Sequence, residues 1–405
     1  LDPLDVMLEL KKVKPYFQAI FSADSHEVIG YEVLGRIEID NKVKSLGGFF
    51  HDPTVPDEFK IEVDQHIQGL ALEKFIENGQ DSLLFLNIQA NYLSNNIDNN
   101  FIDKFLNYQE KGLDLTNVVL EITEHDFSGD LSSLSNTLKY LKTMGIKIAI
   151  DDLGTGASNL DRISLLEPDI LKVDLLALQN ETMSTAYHGV IYSLSLLARK
   201  LGAELLFEGV ETAYQFHYAW RKNGRYYQGF FLSEPIASFI NKNILKEKFR
   251  KDIHQFISIE RENLTKQYAL SQELSERLKK VLDKYKKTKD LDDRLVEIAK
   301  ELNDVCFRIY LTDFEGFQTT SNIIRMDKEW TVDQTVRGKN WSWRPYFIQN
   351  LIRMQDEKNG ILSDVYNDIE TGEMIRTFSY PVSDGLFLFM DIPHIYLDDH
   401  QYLLW

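Results

Sequence analysis

From Tyr16 to about Pro235 the chain alternates short apolar runs with longer amphipathic stretches. The apolar runs are strand-length and bounded by polar or turn-forming residues. They predict strands at Tyr16 to Phe21, Val28 to Leu34, Leu83 to Ile88, Val118 to Thr123, Lys147 to Asp151, Ile170 to Val173, Glu204 to Phe207 and Tyr226 to Phe231. Between them, Ile61 to Ile76, Leu131 to Met144 and Tyr187 to Leu201 carry the helical period. Eight strands alternating with helices predict an α/β fold, a β/α barrel rather than an open sheet.

Beyond Pro235 the pattern changes. Asn241 to about Lys287 is charged and helical, with Leu264, Tyr268, Leu274, Leu278, Val281 and Tyr285 at three- and four-residue spacing. Such a helix either packs on its own domain or pairs with a second copy. Lys286, Lys287, Lys289 and Asp290 read as a solvated break before a helix at Leu291 to Asn303. Apolar runs at Phe307 to Leu311, Phe378 to Pro381 and Leu386 to Met390, with turn signals at Glu315-Gly316 and Thr371-Gly372, predict an antiparallel sheet with helices on one side. The organisation expected is a barrel domain over 1–240, a helical linker over 241–290 and an α+β module of sensory size over 291–405.

Composition narrows the partners. In 405 residues there are 63 acidic and 45 basic side chains, a net charge of -18, so a broad surface for DNA, RNA or anionic membrane is not expected. The single cysteine, Cys306, lies between Val305 and Phe307 and reads as core, and its solitude fits a reducing cytoplasm. No run approaches the length of a membrane span, and Leu1 to Lys14, with Asp2, Asp5 and Glu9, lacks a secretory pattern.

The candidate chemistry sits at strand ends. Asp151 and Asp152 close the run Ile146, Ile148, Ala149, Ile150 and precede Leu153-Gly154-Thr155-Gly156, a loop where backbone can approach a ligand closely. On those six residues alone an Asp-capped turn remains the simpler reading. A barrel changes the weighing, because it brings the ends of different strands to one face. Glu32, Asn87, Glu121, Asp151, Asp152, Lys172, Glu208 and Gln228 all lie in or at the end of a predicted strand. Carboxylates and an amide are the oxygen donors that Mg²⁺ and Mn²⁺ prefer, and two such ions are a common means of breaking a phosphodiester. Glu121, inside Val118-Val119-Leu120-Glu121-Ile122, needs a cation if it is buried. Lys172 could balance the carboxylates or orient a water, although a structural contact with Asp174 is the plainer alternative. Arg36 offers a planar fork for phosphate, and Gln228-Gly229 an uncharged edge for a base. The histidines show no paired zinc spacing, and no Gly-x-Ser-x-Gly or Walker loop occurs. Met144, Phe207, Phe230 and Phe231 read as core.

These segments resemble the EAL family of cyclic di-GMP phosphodiesterases over about residues 14 to 240. The resemblance rests on Glu32-Val33-Leu34, Asn87, Leu120 to Glu124, Asp151 to Gly156 with Ser158 and Leu160, Leu171 to Asp174, Glu208 to Glu211, and Gln228-Gly229-Phe230 with Pro235. It implies a TIM-like (β/α)8 barrel whose first strand is antiparallel to the rest, and hydrolysis of cyclic di-GMP to linear pGpG. It implies Glu32, Asn87, Glu121, Asp151, Asp152 and Glu208 as ligands of two Mg²⁺ or Mn²⁺ ions, with calcium inhibitory. Lys172 would hold the catalytic water and Glu211 would anchor the loop at Gly154 to Gly156. Gln18, Leu34, Arg36, Asp174, Gln228 and Pro235 would surround the substrate. Gly35, Ile37, Ala19, Leu153, Asn159 and Phe207 depart from the family pattern, as does the whole of Lys42 to Lys60, without removing a ligand. If those departures disturb the loops, the alternative is a cyclic di-GMP receptor with little turnover; a third is an inert scaffold. The tail, with Asn340-Trp341-Ser342-Trp343-Arg344-Pro345-Tyr346-Phe347, resembles PAS-like or Cache-like sensory domains, implying regulation by an unknown small ligand, and the family's pairing through barrel and sensory domain implies a homodimer.

Overall fold

The computed structural model describes residues 2–79, 81–95, 100–123, 131–153, 160–175, 185–326, 329–344, 347–383 and 385–403, without the side chains of 94, 95, 100, 152, 160, 161, 185 and 186. The chain divides into two compact units, Leu1–Ile253 and His254–Trp405.

In the first unit the strands are β1 Val13–Ser22, β2 Val28–Ile39, β3 Lys42–Ser45, β4 Leu83–Ile88, β5 Val118–Thr123, β6 Lys147–Leu153, β7 Ile170–Asp174, β8 Glu204–Glu208 and β9 Tyr226–Tyr227. They pair in the order β1-β9-β8-β7-β6-β5-β4-β2, and β1 pairs with β2 to close the ring. β1 runs antiparallel to both neighbours, and β2 and β4 to β9 are parallel. This is the TIM-like barrel with an antiparallel first strand.

A layer of Ile20, Phe85, Val119, Ala149, Ile170 and Leu206 forms one buried apolar cluster, each residue from a different barrel strand. Strand side chains alternate between faces, so the residue two positions away shares the face of each layer member. In β4 to β8 those residues, two positions further on, are Asn87, Glu121, Asp151, Lys172 and Glu208. In the reversed β1 the equivalent residue is two positions earlier, Gln18, paired in register with Glu32 of β2. The hydrophobic plug and the polar mouth above it are thus one pattern with a period of two.

The sequence reading errs at several elements. Tyr226 to Phe231 is not a full strand: β9 ends at Tyr227, and Gly229, at φ 156°, passes so close to Val210 that a Cβ there would lie 2.1 Å from its carbonyl oxygen. The chain folds across Val210 instead of continuing, which leaves Phe230 61% exposed rather than in the core. The hairpin strand β3 and the helices Asn100–Glu110 and Ala213–Arg221 were not anticipated.

In the second unit the strands are β10 Arg308–Asp313, β11 Asn322–Met326, β12 Glu329–Asp333, β13 Ile361–Leu362, β14 Tyr366–Asn367, β15 Met374–Ser383 and β16 Leu386–Ile392. They form an antiparallel sheet in the order β12-β11-β10-β16-β15-β13, with β14 also on β15. Leu274, Leu278 and Val281 of the helix Lys246–Lys284 pack with Leu295, Ile298 and Ala299 of the helix Leu291–Glu301 and with the sheet. Leu264 and Tyr268, expected in the same stripe, are exposed, because that packing begins only at Leu270. Cys306 is buried in this core, its thiol pushed up to about 12 chiefly by desolvation. Trp343 is exposed, Trp341 is half-buried and donates to Gln318, and Tyr346 lies outside the described residues. No described helix is long and apolar enough to cross a membrane.

Candidate active site

The face-sharing residues converge. The Lys172 ammonium stands 2.8 Å from Glu121, 3.1 Å from Asp151, 3.2 Å from Glu208 and 3.8 Å from Glu32, each on a different strand. Register explains the meeting. Asn87 pairs with Glu121 across β4 and β5, and Thr123 pairs with Asp151 across β5 and β6. The β6–β7 ladder is shifted between Ile150 and Leu153, a bulge at the pair of aspartates. Asn87 donates to Glu32, and Gln228 donates to Glu32 and Gln18.

One cation among four carboxylates leaves a surplus of negative charge. Burial, reinforced by Glu32 and Asp151, pushes Glu121 well above the usual carboxylate range against the pull of Lys172. Burial and then Asp151 do the same to Glu208. Burial alone would depress Lys172, but Asp151, Glu121, Glu208 and Glu32 hold it well above its ordinary value. Glu121 is fully buried, and among the described residues its carboxylate meets only the Lys172 ammonium, at 2.8 Å, and no other donor. An under-satisfied carboxylate in an all-oxygen donor set suits a hard divalent cation. Among the described residues no three acidic, His or Cys side chains already form a cage for one ion. The Asp152 carboxylate lies outside the described residues.

A cavity of about 640 Å³ opens over this cluster. Glu32, Leu34, Arg36, Asn87, Asp151, Asp174 and Glu208 line it. Lys172 and Glu121 are buried with the cluster, and Gln18 and Gln228 are buried beside Glu32 without lining the cavity. Pro235 does not line it. Glu211 is exposed and does not line the cavity, and the loop it is expected to anchor lies outside the described residues. Burial lowers the pKa of Arg36, whose guanidinium donates to the Gly35 carbonyl.

One wall was not foreseen. Phe50, His51, Lys60, Asp64 and Gln68 line the cavity from the segment that departs from the family pattern and from the helix Asp57–Glu77 that follows it. Asp64 is pushed up to about 7, mainly by burial and opposed by Lys104. Gln68 links them, donating to Asp64 and to the Asn87 carbonyl and accepting from Lys104. The spacing of Lys60, Asp64, Ile67 and Gln68 was a usable signal, since positions i, i+4, i+7 and i+8 share one helix face.

A closed barrel with carboxylates at its mouth is the architecture of a recognised class, and the chain belongs to the EAL family: residues 2–235 match the EAL domain. Residues 239–404 match the EAL-domain associated signalling protein domain. Over its whole length the chain is 46% identical to the EAL-domain containing protein YkuI of Bacillus subtilis, all of which is covered. The crystal structure of that protein in complex with substrate c-di-GMP and calcium superposes with a TM-score of 0.93, covering 100% of both chains. A probable cyclic di-GMP phosphodiesterase of Escherichia coli, PdeA, is 34% identical over 119 residues, 29% of this chain and 16% of that one. A standalone EAL protein of Vibrio cholerae in its c-di-GMP bound form has a TM-score of 0.50 at 24% identity, covering 58% of this chain and 97% of that one, a likeness of fold alone.

Proposed function

We propose that the chain is a cyclic di-GMP phosphodiesterase that opens its substrate to linear pGpG with Mg²⁺ or Mn²⁺. The carrying observation is the cluster itself: carboxylates from β2, β5, β6 and β8 around one buried lysine, opening into a cavity sized for a small ligand. The whole-length likeness to a protein crystallised with c-di-GMP and calcium supports the choice of substrate.

Glu32, Asn87, Glu121, Asp151, Asp152 and Glu208 would hold two ions, which when bound supply charge stabilisation and an acidified water. The protein's own contributions follow from its geometry. Lys172, fixed by ion pairs on all sides, holds its proton and presents a permanent donor to the attacking water. Asn87 and Gln228 fix Glu32 by donating to it, so that its carboxylate does not reorganise during the reaction. Arg36 and Asp174 on the cavity wall orient the dinucleotide. The same oxygen donors would also hold calcium, whose larger size and laxer geometry would place a water less closely, so calcium is expected to inhibit. The carboxyl-terminal unit is a PAS-like or Cache-like regulator, and the protein works as a cytoplasmic homodimer.

The test is to incubate purified protein with cyclic di-GMP and Mn²⁺ and resolve the products. Accumulation of pGpG, abolished by Glu121→Gln and by calcium, is the expected result. Tight binding with no pGpG makes the barrel a receptor instead.

A further inference from the structure

The cavity is strongly acidic. Its lining includes Glu32, Asp57, Asp64, Asp151, Asp174 and Glu208, against two basic side chains, Arg36 and Lys60. Lys60 is only 9% exposed, and among the described residues its ammonium makes no hydrogen bond or ion pair. A lysine on a helix ordinarily finds a carboxylate three or four residues away. Asp57 and Asp64 occupy those positions, yet neither lies within ion-pair distance, and Asp64 accepts from Gln68 instead. The stem of Lys60 is packed away while its ammonium reaches the cavity, felt by Asp52 but paired with neither helix neighbour, and a cation so placed can meet an anion from outside the chain.

A cyclic dinucleotide carries two phosphodiesters. The one to be cleaved belongs at the carboxylate cluster, where bound cations neutralise it. The other needs a protein cation in an otherwise acidic cavity. We propose that Lys60 binds this second, uncleaved phosphate and so selects cyclic dinucleotides over substrates with a single phosphodiester. The inference rests on the phosphodiesterase reading and deepens it. It names a residue in Lys42 to Lys60, the segment that departs from the family pattern. Lysine suits the task because a compact point charge needs no fixed approach angle, and because Lys60 shares its helix face with Asp64, Ile67 and Gln68 along the cavity wall.

The experiment compares wild-type protein with Lys60→Met and Lys60→Arg. Cyclic di-GMP and bis(p-nitrophenyl) phosphate, which has one phosphodiester, serve as substrates with Mn²⁺. Affinity for cyclic di-GMP is measured separately by calorimetry with Ca²⁺. Loss of one charged hydrogen bond to phosphate should raise KM and Kd for cyclic di-GMP about 10- to 100-fold in Lys60→Met with little change in kcat. The loss on cyclic di-GMP should exceed that on bis(p-nitrophenyl) phosphate at least about tenfold, and Lys60→Arg should recover part of it. An unchanged Kd, or equal losses on both substrates, overturns the proposal while leaving the phosphodiesterase reading intact. Wild-type protein that binds cyclic di-GMP without cleaving it overturns that reading, and the calorimetric difference between variants still decides the role of Lys60. Wild-type protein that binds none overturns both.

Discussion

Each unit buries one cation among an excess of carboxylates, and the two clusters are finished in opposite ways. In the carboxyl-terminal unit, Arg308 donates through Nε to Asp391, through Nη2 to Asp368, and through Nη1 to Asp368 and Glu370. Thr377 donates to the remaining oxygen of Asp391, and Thr371 donates to Asp368 through both its backbone and its hydroxyl. Burial alone would raise Asp368, but Arg308 and Thr371 hold it below its usual range. In the barrel, Lys172 faces four carboxylates, Glu121 has no donor besides Lys172 among the described residues, and Glu121 and Glu208 are both raised. A guanidinium fork with matching hydroxyls closes a charge cluster on itself. A point charge among too many carboxylates leaves it waiting for another cation. The first is structural chemistry and the second is ligand chemistry, although a count of charges alone scarcely separates them.

The largest test of that contrast removes each cluster's cation or its excess charge. Arg308→Met leaves three carboxylates around an apolar side chain and should destabilise the carboxyl-terminal unit by about 3–5 kcal/mol, seen as an earlier denaturant midpoint. A loss below about 1 kcal/mol would show that this cluster is not closed in the sense argued. Glu121→Gln should do the reverse in the barrel. It removes one of the competing charges, so the metal-free barrel should gain about 1 kcal/mol, or about 2–4 °C in Tm, while pGpG formation falls at least about hundredfold. Loss of stability together with activity would mean that Glu121 is a structural partner of Lys172.

Much of this could be read in the chain because a strand's period of two is visible in its residues. Phe85 with Asn87, Val119 with Glu121, Ala149 with Asp151, Ile170 with Lys172 and Leu206 with Glu208 write plug and mouth at one spacing, and the barrel follows from the repetition. Arg308 carried no such sign. Its partners Asp368 and Asp391 are far away in sequence and only the β10–β16–β15 pairings bring them near. The cavity wall from Phe50 to Gln68 was only partly legible: the helical spacing of Lys60, Asp64, Ile67 and Gln68 puts them on one face, but what marks Lys60 is how its ammonium stands to its neighbours, which only geometry can reveal. Phe230 misled because its hydrophobicity outweighed the adjacent Gly229, where the backbone has to pass Val210 at close range.

Acidity should divide the two units more gently. For Glu121 and Glu208 the folded pKa lies above the unfolded one, so between them the folded state binds more protons. The metal-free barrel should therefore lose stability as pH rises from the ordinary carboxylate range toward those raised values. Asp368 has the opposite sign: its contribution is present above the unfolded value, near 3.8, and is lost as pH falls through the lower folded value. Calorimetry from pH 4 to 8 without metal should show the barrel transition declining with pH relative to Glu121→Gln, with Mn²⁺ flattening the decline because it binds the ionised forms. A barrel transition with the same pH slope in wild type and Glu121→Gln would remove Glu121 from the account.

The smallest expected difference concerns single hydrogen bonds, and there the contrast is sharpest in sign. Thr377→Val keeps the shape of the side chain but takes one donor, at 2.6 Å, from Asp391 and leaves the Tyr366 hydroxyl without that contact. In a closed cluster this strands buried polar atoms and should cost about 1–2 kcal/mol. Gln228→Met in the barrel removes donors to Glu32 and Gln18, but it also removes Oε1, a buried oxygen that has no hydrogen-bond partner. The gain offsets part of the loss, so the metal-free barrel should change by less than about 0.5 kcal/mol. Since Gln228 also steadies Glu32, kcat should fall in the same variant. Denaturant midpoints for both substitutions, measured without metal, give the comparison directly: equal losses would mean that the barrel cluster is as fully satisfied as the other, and that its surplus of carboxylates does not mark a place for cations.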